Sequence, residues 1–153
     1  MFDTKNTHLL HKNAVKLVMK HLPGAIDMDS VTGYYAPYDI DWNNIKIIVK
    51  VAKPSKKATQ KKAKWFYTLK ERDHQIADYF VLFTLLKNKQ IGAIYVLPRP
   101  FVPTACITIT KLDGTMRYDY FKTELQNLAD RVMDIEKRLP KLIKIYRKAM
   151  PVR

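Results

Sequence analysis

Residues 38–54 read YDIDWNNIKIIVKVAKP, two runs of alternating apolar and polar side chains on either side of an Asn pair. A period of two is the mark of a strand, and Asn tolerates the positive φ angles that a two-residue type I′ turn demands. With Asn43 and Asn44 as the turn, the register follows by counting: Trp42 opposes Ile45, Asp41 opposes Lys46, Ile40 opposes Ile47 and Asp39 opposes Ile48. Parity then sorts the side chains. Ile40, Trp42, Ile45, Ile47, Val49 and Val51 share one face, and Asp39, Asp41, Lys46, Ile48 and Lys50 share the other. Asp39 and Lys50 become diagonal neighbours, roughly 7–8 Å apart in such a hairpin, able to touch one phosphate, one water or one metal ion. Read as structure alone, the same row is the solvated face of a hairpin, with Asp41 and Lys46 as an ion pair worth less than about 1 kcal/mol.

The rest of the chain supplies partners for this hairpin. Leu10, Ala14, Leu17 and Val18 recur at helical spacing, with Lys12, Lys16 and Lys20 outside them, and Pro23 and Gly24 end the run. AIDMDSVTGYY reads as a strand entering a turn. WFYTL, DYFVLFTLL, AIYVLP and ACITIT are rich in aromatic and β-branched residues, as strands require. Between residues 118 and 138, Phe121, Leu125, Leu128, Val132 and Ile135 recur at helical spacing, and Pro140 is expected to end that helix. The expected fold is α/β, a mixed central β-sheet flanked by helices. Residues 1–140 form one domain in this reading, and residues 141–153 a basic C-terminal helix or tail.

Length and charge narrow the function classes. At 153 residues the chain fits one domain, and no segment approaches the roughly 18 consecutive apolar residues that cross a bilayer. The N-terminus lacks the unbroken apolar run of a secretory signal, so a cytoplasmic address is expected and no membrane partner. Cys106, the one cysteine, stands in an apolar alternating run and is expected to pack as a small hydrophobe. Lys and Arg number 28 against 14 acids, a net charge of +14. The excess is uneven: residues 1–52 hold six basic and five acidic residues, residues 53–100 eleven and three. A field of this size draws polyanions through counterion release.

Taken together, YDIDWNNIKIIVKVAKP followed by KWFYTL, ADYFVLFTLL, AIYVLP and ITITKLDGTMRYDYFK resembles the PD-(D/E)xK nuclease superfamily, especially its restriction-like and homing-endonuclease-like members. The resemblance spans about residues 8–128. It implies a restriction-endonuclease-like fold, a Mg²⁺- or Mn²⁺-dependent endodeoxyribonuclease activity, DNA (or RNA) as partner, and a homo-oligomer, most simply a dimer. It carries the metal-binding Asp onto Asp39 and the motif lysine onto Lys50, while Ile48 stands in the place of the second acid.

That replacement bears on the chemistry. Phosphodiester hydrolysis needs a divalent cation to polarise the phosphoryl oxygen and activate water, and Mg²⁺ is usually held by one or two carboxylates plus phosphate oxygens. A lysine beside it orients the water or offsets the growing charge. The first helix of related enzymes often supplies another Glu, but no acid lies between Asp3 and Asp27 here. Three readings stay open: Asp41 replaces the missing carboxylate, as a catalytic and metal-binding partner of Asp39; Glu71 or Asp73 reaches back; or the metal is lost and the chain persists as an inactive nucleic-acid-binding or assembly module. His8 and His11 read as surface histidines of a basic helix, and His74 as a loop residue.

Lys53, Lys56, Lys57, Lys61, Lys62 and Lys64 follow directly after the strand that carries Lys50 and are expected to grip backbone phosphates. Tyr34, Tyr35, Trp65 and Tyr67 are candidates for stacking on bases, or for the core. The tail residues Lys141, Lys144, Arg147, Lys148 and Arg153 either add a second backbone contact or keep the helix soluble.

Overall fold

The computed structural model describes residues 7–32, 36–55, 63–110 and 118–146. Lys56, Lys57, Lys61, Lys62, Tyr34, Tyr35, Arg147, Lys148 and Arg153 lie outside them. The elements run α1 (Thr7–Lys20), β1 (Ile26–Asp27), α2 (Met28–Thr32), β2 (Ile40–Trp42), β3 (Ile45–Ala52), β4 (Trp65–Thr68), α3 (Glu71–Ile76), β5 (Tyr79–Leu85), β6 (Ile91–Pro98), β7 (Cys106–Ile109), β8 (Lys122–Thr123) and α4 (Leu128–Tyr146). Six strands form a mixed sheet in the order β1-β2-β3-β5-β6-β8, and β4 and β7 form a separate antiparallel ribbon. The mixed sheet flanked by helices is the α/β architecture expected from the sequence.

The hairpin is built as counted. Asn43 and Asn44 both take positive φ, 52° and 65°, the geometry of a type I′ turn. Trp42 pairs with Ile45, Asp41 with Lys46 and Ile40 with Ile47. Trp42 is buried, and its indole N–H donates to Pro23 O at 2.8 Å, tying the hairpin to the end of α1.

The alternation misleads about exposure, however. β3 is an interior strand, antiparallel to β2 and parallel to β5, with Val49 beside Val81 and Lys50 beside Leu82. Strands in such positions are covered on both faces. Ile47, Ile48 and Val49 are therefore buried in succession, and Ile48, the apolar member of the polar row, joins the core at 6% exposure. β5 is buried along its whole length, which explains the continuous run YFVLFTL. Its register with β6 slips between Phe83 and Leu85, and there the ribbon attaches: Tyr67 OH donates to Phe83 O and Trp65 Nε1–H to Leu85 O. Trp65 and Tyr67 are thus core residues.

Other local expectations need correction. AIDMDSVTGYY gives a two-residue strand and then the short helix α2, because the weak periodicity hid a change of element after Asp27. His74 lies in α3, with its Nε2 2.8 Å from Val102 O. Cys106 is exposed, since Ile107 and Ile109 take the inner face of β7. Residues 118–127 form two 3₁₀ turns around β8, so the last helix begins at Leu128. Pro140 does not end it. α4 continues to Tyr146 because Leu142 is buried beyond the proline, with Leu139 and Ile143 packed on the same core.

Candidate functional site

Asp39 stands just before β2, where the antiparallel ladder to β3 stops. One carboxylate oxygen accepts the Val49 N–H at 2.8 Å, a backbone donor of β3 that lies beyond the reach of β2. The other lies 3.2 Å from His11 Nε2 of α1. Asp39 is thus fixed by the strand on one side and the helix on the other, with its side chain only 15% exposed.

Lys50 reaches the same cleft from β3. Its ammonium pairs with Asp73 Oδ2 at 3.4 Å. Asp73 is one of the few buried charged residues, and its carboxylate also accepts the Lys70 N–H at 3.1 Å, closing the first turn of α3. Asp39 and Lys50 both line a cleft of about 400 Å³, walled by His11, Ile48, Phe66, Lys70 and Asp73 among others. They face one space, each held by a different counter-charge.

The remaining predicted residues divide. Asp41 does not line this cleft. Its carboxylate accepts the Tyr38 hydroxyl at 3.1 Å, and Lys46 lies over the Tyr38 ring at 5.7 Å; Tyr38 itself lines the cleft, so Asp41 and Lys46 stand behind that ring, one contact away from it. Burial, followed by the bond to Asp41, pushes the Tyr38 hydroxyl up from its ordinary value. Glu71 is exposed on α3 and is not part of the lining, whereas Asp73 is. Asp78 has a structural part: it accepts the Lys46 N–H at 2.9 Å and lies 3.9 Å from the Arg99 guanidinium. Of the lysine run, Lys53 and Lys64 are described. Ser55 N–H donates to Lys64 O at 2.8 Å, which joins the two ends of the run at the root between β3 and β4. Val51 and Phe66, close to that root on either strand, line the cleft.

Four members of the site escaped the sequence reading. His11 precedes the buried Ala14, Val15 and Val18 by three, four and seven residues, so it stands on the covered stripe of α1. A polar residue within that stripe was the signal. Its bond to Asp39 raises the imidazole above its ordinary value, against the opposing effect of burial. Phe66 is the exposed aromatic of β4, at 50%, between the buried Trp65 and Tyr67. Lys70 and Arg72 flank Asp73 and bring two more cations to the lining.

The donor set bears on what cation could bind. Among the described residues no group of three or more His, Cys, Asp and Glu side chains converges as a closed metal cage. Mg²⁺ does not require one, since it keeps several waters and takes one or two carboxylates with substrate phosphate oxygens. Asp39, fixed at two points and open to a cationic cleft, fits that partial role.

Comparison with protein-family models returns no match, and comparison with curated proteins returns none either. Among solved structures, the chain is similar to a bacterial homing endonuclease, I-Ssp6803I. The identity is 14% and the TM-score 0.56, over 86% of this chain and 98% of that one. Among the described residues no helix is long and apolar enough to cross a membrane.

Proposed function

We propose that the chain is a DNA-binding protein of the PD-(D/E)xK kind whose Asp39–Lys50 cleft hydrolyses phosphodiester bonds. The observation that carries this reading is the convergence of Asp39 and Lys50 on one cleft. The likeness in fold to a homing endonuclease supports it.

Within this reading the cleft binds a backbone phosphate through Lys50, Lys70 and Arg72, an arrangement that neutralises charge without reading sequence. His11, whose bond to Asp39 favours its protonated form, adds a positive charge whenever it carries that proton. Lys50 would orient the attacking water or offset the charge that grows on the phosphoryl oxygens. Asp73, 3.4 Å from the Lys50 ammonium, holds that side chain at the cleft. Asp39 would hold a divalent cation, Mg²⁺ or Mn²⁺, which when bound polarises the phosphate and lowers the pKa of its water. Asp41, outside the lining, is assigned no contact with the phosphate. A homodimer would present two such clefts to the two strands of a duplex.

The test is cleavage of supercoiled plasmid with Mg²⁺ or Mn²⁺ by wild type, Asp39→Asn and Lys50→Ala. Asn keeps an oxygen for the Val49 N–H, so loss of activity in that variant is not merely loss of fold. Cleavage abolished in both variants is expected; cleavage untouched by either rejects the site. A second reading has its own support. Ile48 is buried where the superfamily carries its second acid, and both Asp39 and Lys50 already have counter-charges. Salt-sensitive binding with no cleavage under any of these conditions favours an inactive binding module.

A further inference from the structure

We infer that a second groove, between α1 and the turn that joins β5 to β6, binds the phosphate backbone of duplex DNA independently of the Asp39–Lys50 cleft. The groove has a volume of about 670 Å³, and Lys16 and Lys20 of α1 face Lys89 and Gln90 of the turn across it, with Asn13 at one end. Among the described residues no acid lines it. Among the described residues, none of the three lysines takes part in an ion pair there, in contrast to Lys50.

Two features of the chain make this more than scattered surface charge. Lys16 and Lys20 are four residues apart on a helix that contains no acid, so they repel one another with nothing in α1 to relieve them. An anion in the groove removes that repulsion. Lys89 takes a φ of 68°, a conformation that Gly or Asn would adopt at less cost. The turn is nevertheless well tied: Leu86 N–H donates to Gln90 O at 2.8 Å, Lys89 N–H to Leu86 O at 2.9 Å, and Gln90 N–H to Asn88 Oδ1 at 3.1 Å. The lysine is thereby carried on a fixed turn facing the helix.

The groove is not an extension of the first cleft. At about 100° per residue, Lys16 and Lys20 lie roughly 140° and 180° around α1 from His11, and Lys20 is about 13 Å further along its axis. The two sites flank one helix on opposite sides. Beside the apolar Leu17 and Ile91, the lining offers lysines and side-chain amides and no aromatic ring, which suits phosphate and sugar oxygens, so the contact is expected to be indifferent to sequence.

The experiment compares the full chain with a Lys16→Gln, Lys20→Gln, Lys89→Gln variant and a charge-matched Lys122→Gln, Lys137→Gln, Arg138→Gln variant of β8 and α4. Affinity for two unrelated 30-base-pair duplexes is measured between 50 and 300 mM salt. The groove variant should lose roughly tenfold or more at 100 mM and flatten the slope of log K against log salt by about 2–3, with little change in the control. Equal losses in both variants overturn the proposal, because net charge would then explain binding. So does poly-glutamate that binds wild type as tightly as the duplexes and is lost in the groove variant. Plasmid cleavage by the same proteins keeps the outcomes apart: the groove can fail while Asp39 and Lys50 still cut, and can succeed in a chain that never cuts.

Discussion

His11 and Asp39 form the contact on which the cleft's charge most depends, and their coupling has a definite pH signature. The hydrogen bond to Asp39 raises the His11 pKa in the folded chain. A raised folded value means that the pair's stabilisation is fully present below the free imidazole's pKa of about 6.5. It is lost as pH rises through the higher folded value. With 36% of the imidazole exposed, screening holds the contribution below about 1 kcal/mol. Urea unfolding at pH 5.5 and 8.5 should show wild type losing stability relative to His11→Gln as pH rises, and parallel profiles would discount the pair. The neighbouring aromatics offer a larger contrast. Trp65→Ala or Tyr67→Ala should cost about 3–5 kcal/mol because each is buried, whereas Phe66→Ala, on the exposed face of β4, should cost less than about 1 kcal/mol. Thermal unfolding of the three variants checks that assignment of faces.

The elements show where sequence patterns suffice and where tertiary context overrides them. The hairpin was fully legible because a local rule determines it: two positive-φ Asn residues fix the register, and register fixes which side chains can meet. Asn44→Ala should therefore cost up to about 1–2 kcal/mol, because Ala keeps the Cβ but loses the short polar side chain that eases Asn into the left-handed region, read as a lower urea midpoint with an unchanged slope. The burial of Ile48 was not legible, since it follows from the parallel pairing of β3 with β5, a long-range contact that leaves no trace in the alternation of either strand. Asp73 was only one of several possible partners for the same reason: nothing local says that α3 turns it toward Lys50. Pro140 misled in the opposite direction. A proline inside a helix costs about 3 kcal/mol, and burying one leucine returns only about 1.5–3, so Leu142 with help from Leu139 and Ile143 is enough to carry α4 past it. Leu142→Ala should cost about 2–5 kcal/mol and raise hydrogen exchange specifically beyond residue 140, a pattern that simple loss of core would not produce.

At the scale of the whole molecule, the charge excess is spread unevenly along the sequence, and that unevenness makes a quantitative claim. Six lysines lie between residues 53 and 64, and the bond from Ser55 to Lys64 draws the two ends of that stretch together beside strands whose residues line the cleft. Each lysine that neutralises a phosphate releases condensed counterions, contributing about 0.9 to the slope of log affinity against log salt for duplex DNA. If all six engage, replacing them with Gln should flatten that slope by about 5 and weaken binding equally for any two duplexes of the same length. Anisotropy titrations at several salt concentrations measure the slope directly. A slope that stays as steep in the substituted chain assigns the phosphate contacts elsewhere, while a loss confined to one duplex sequence would mean that these lysines read bases rather than backbone.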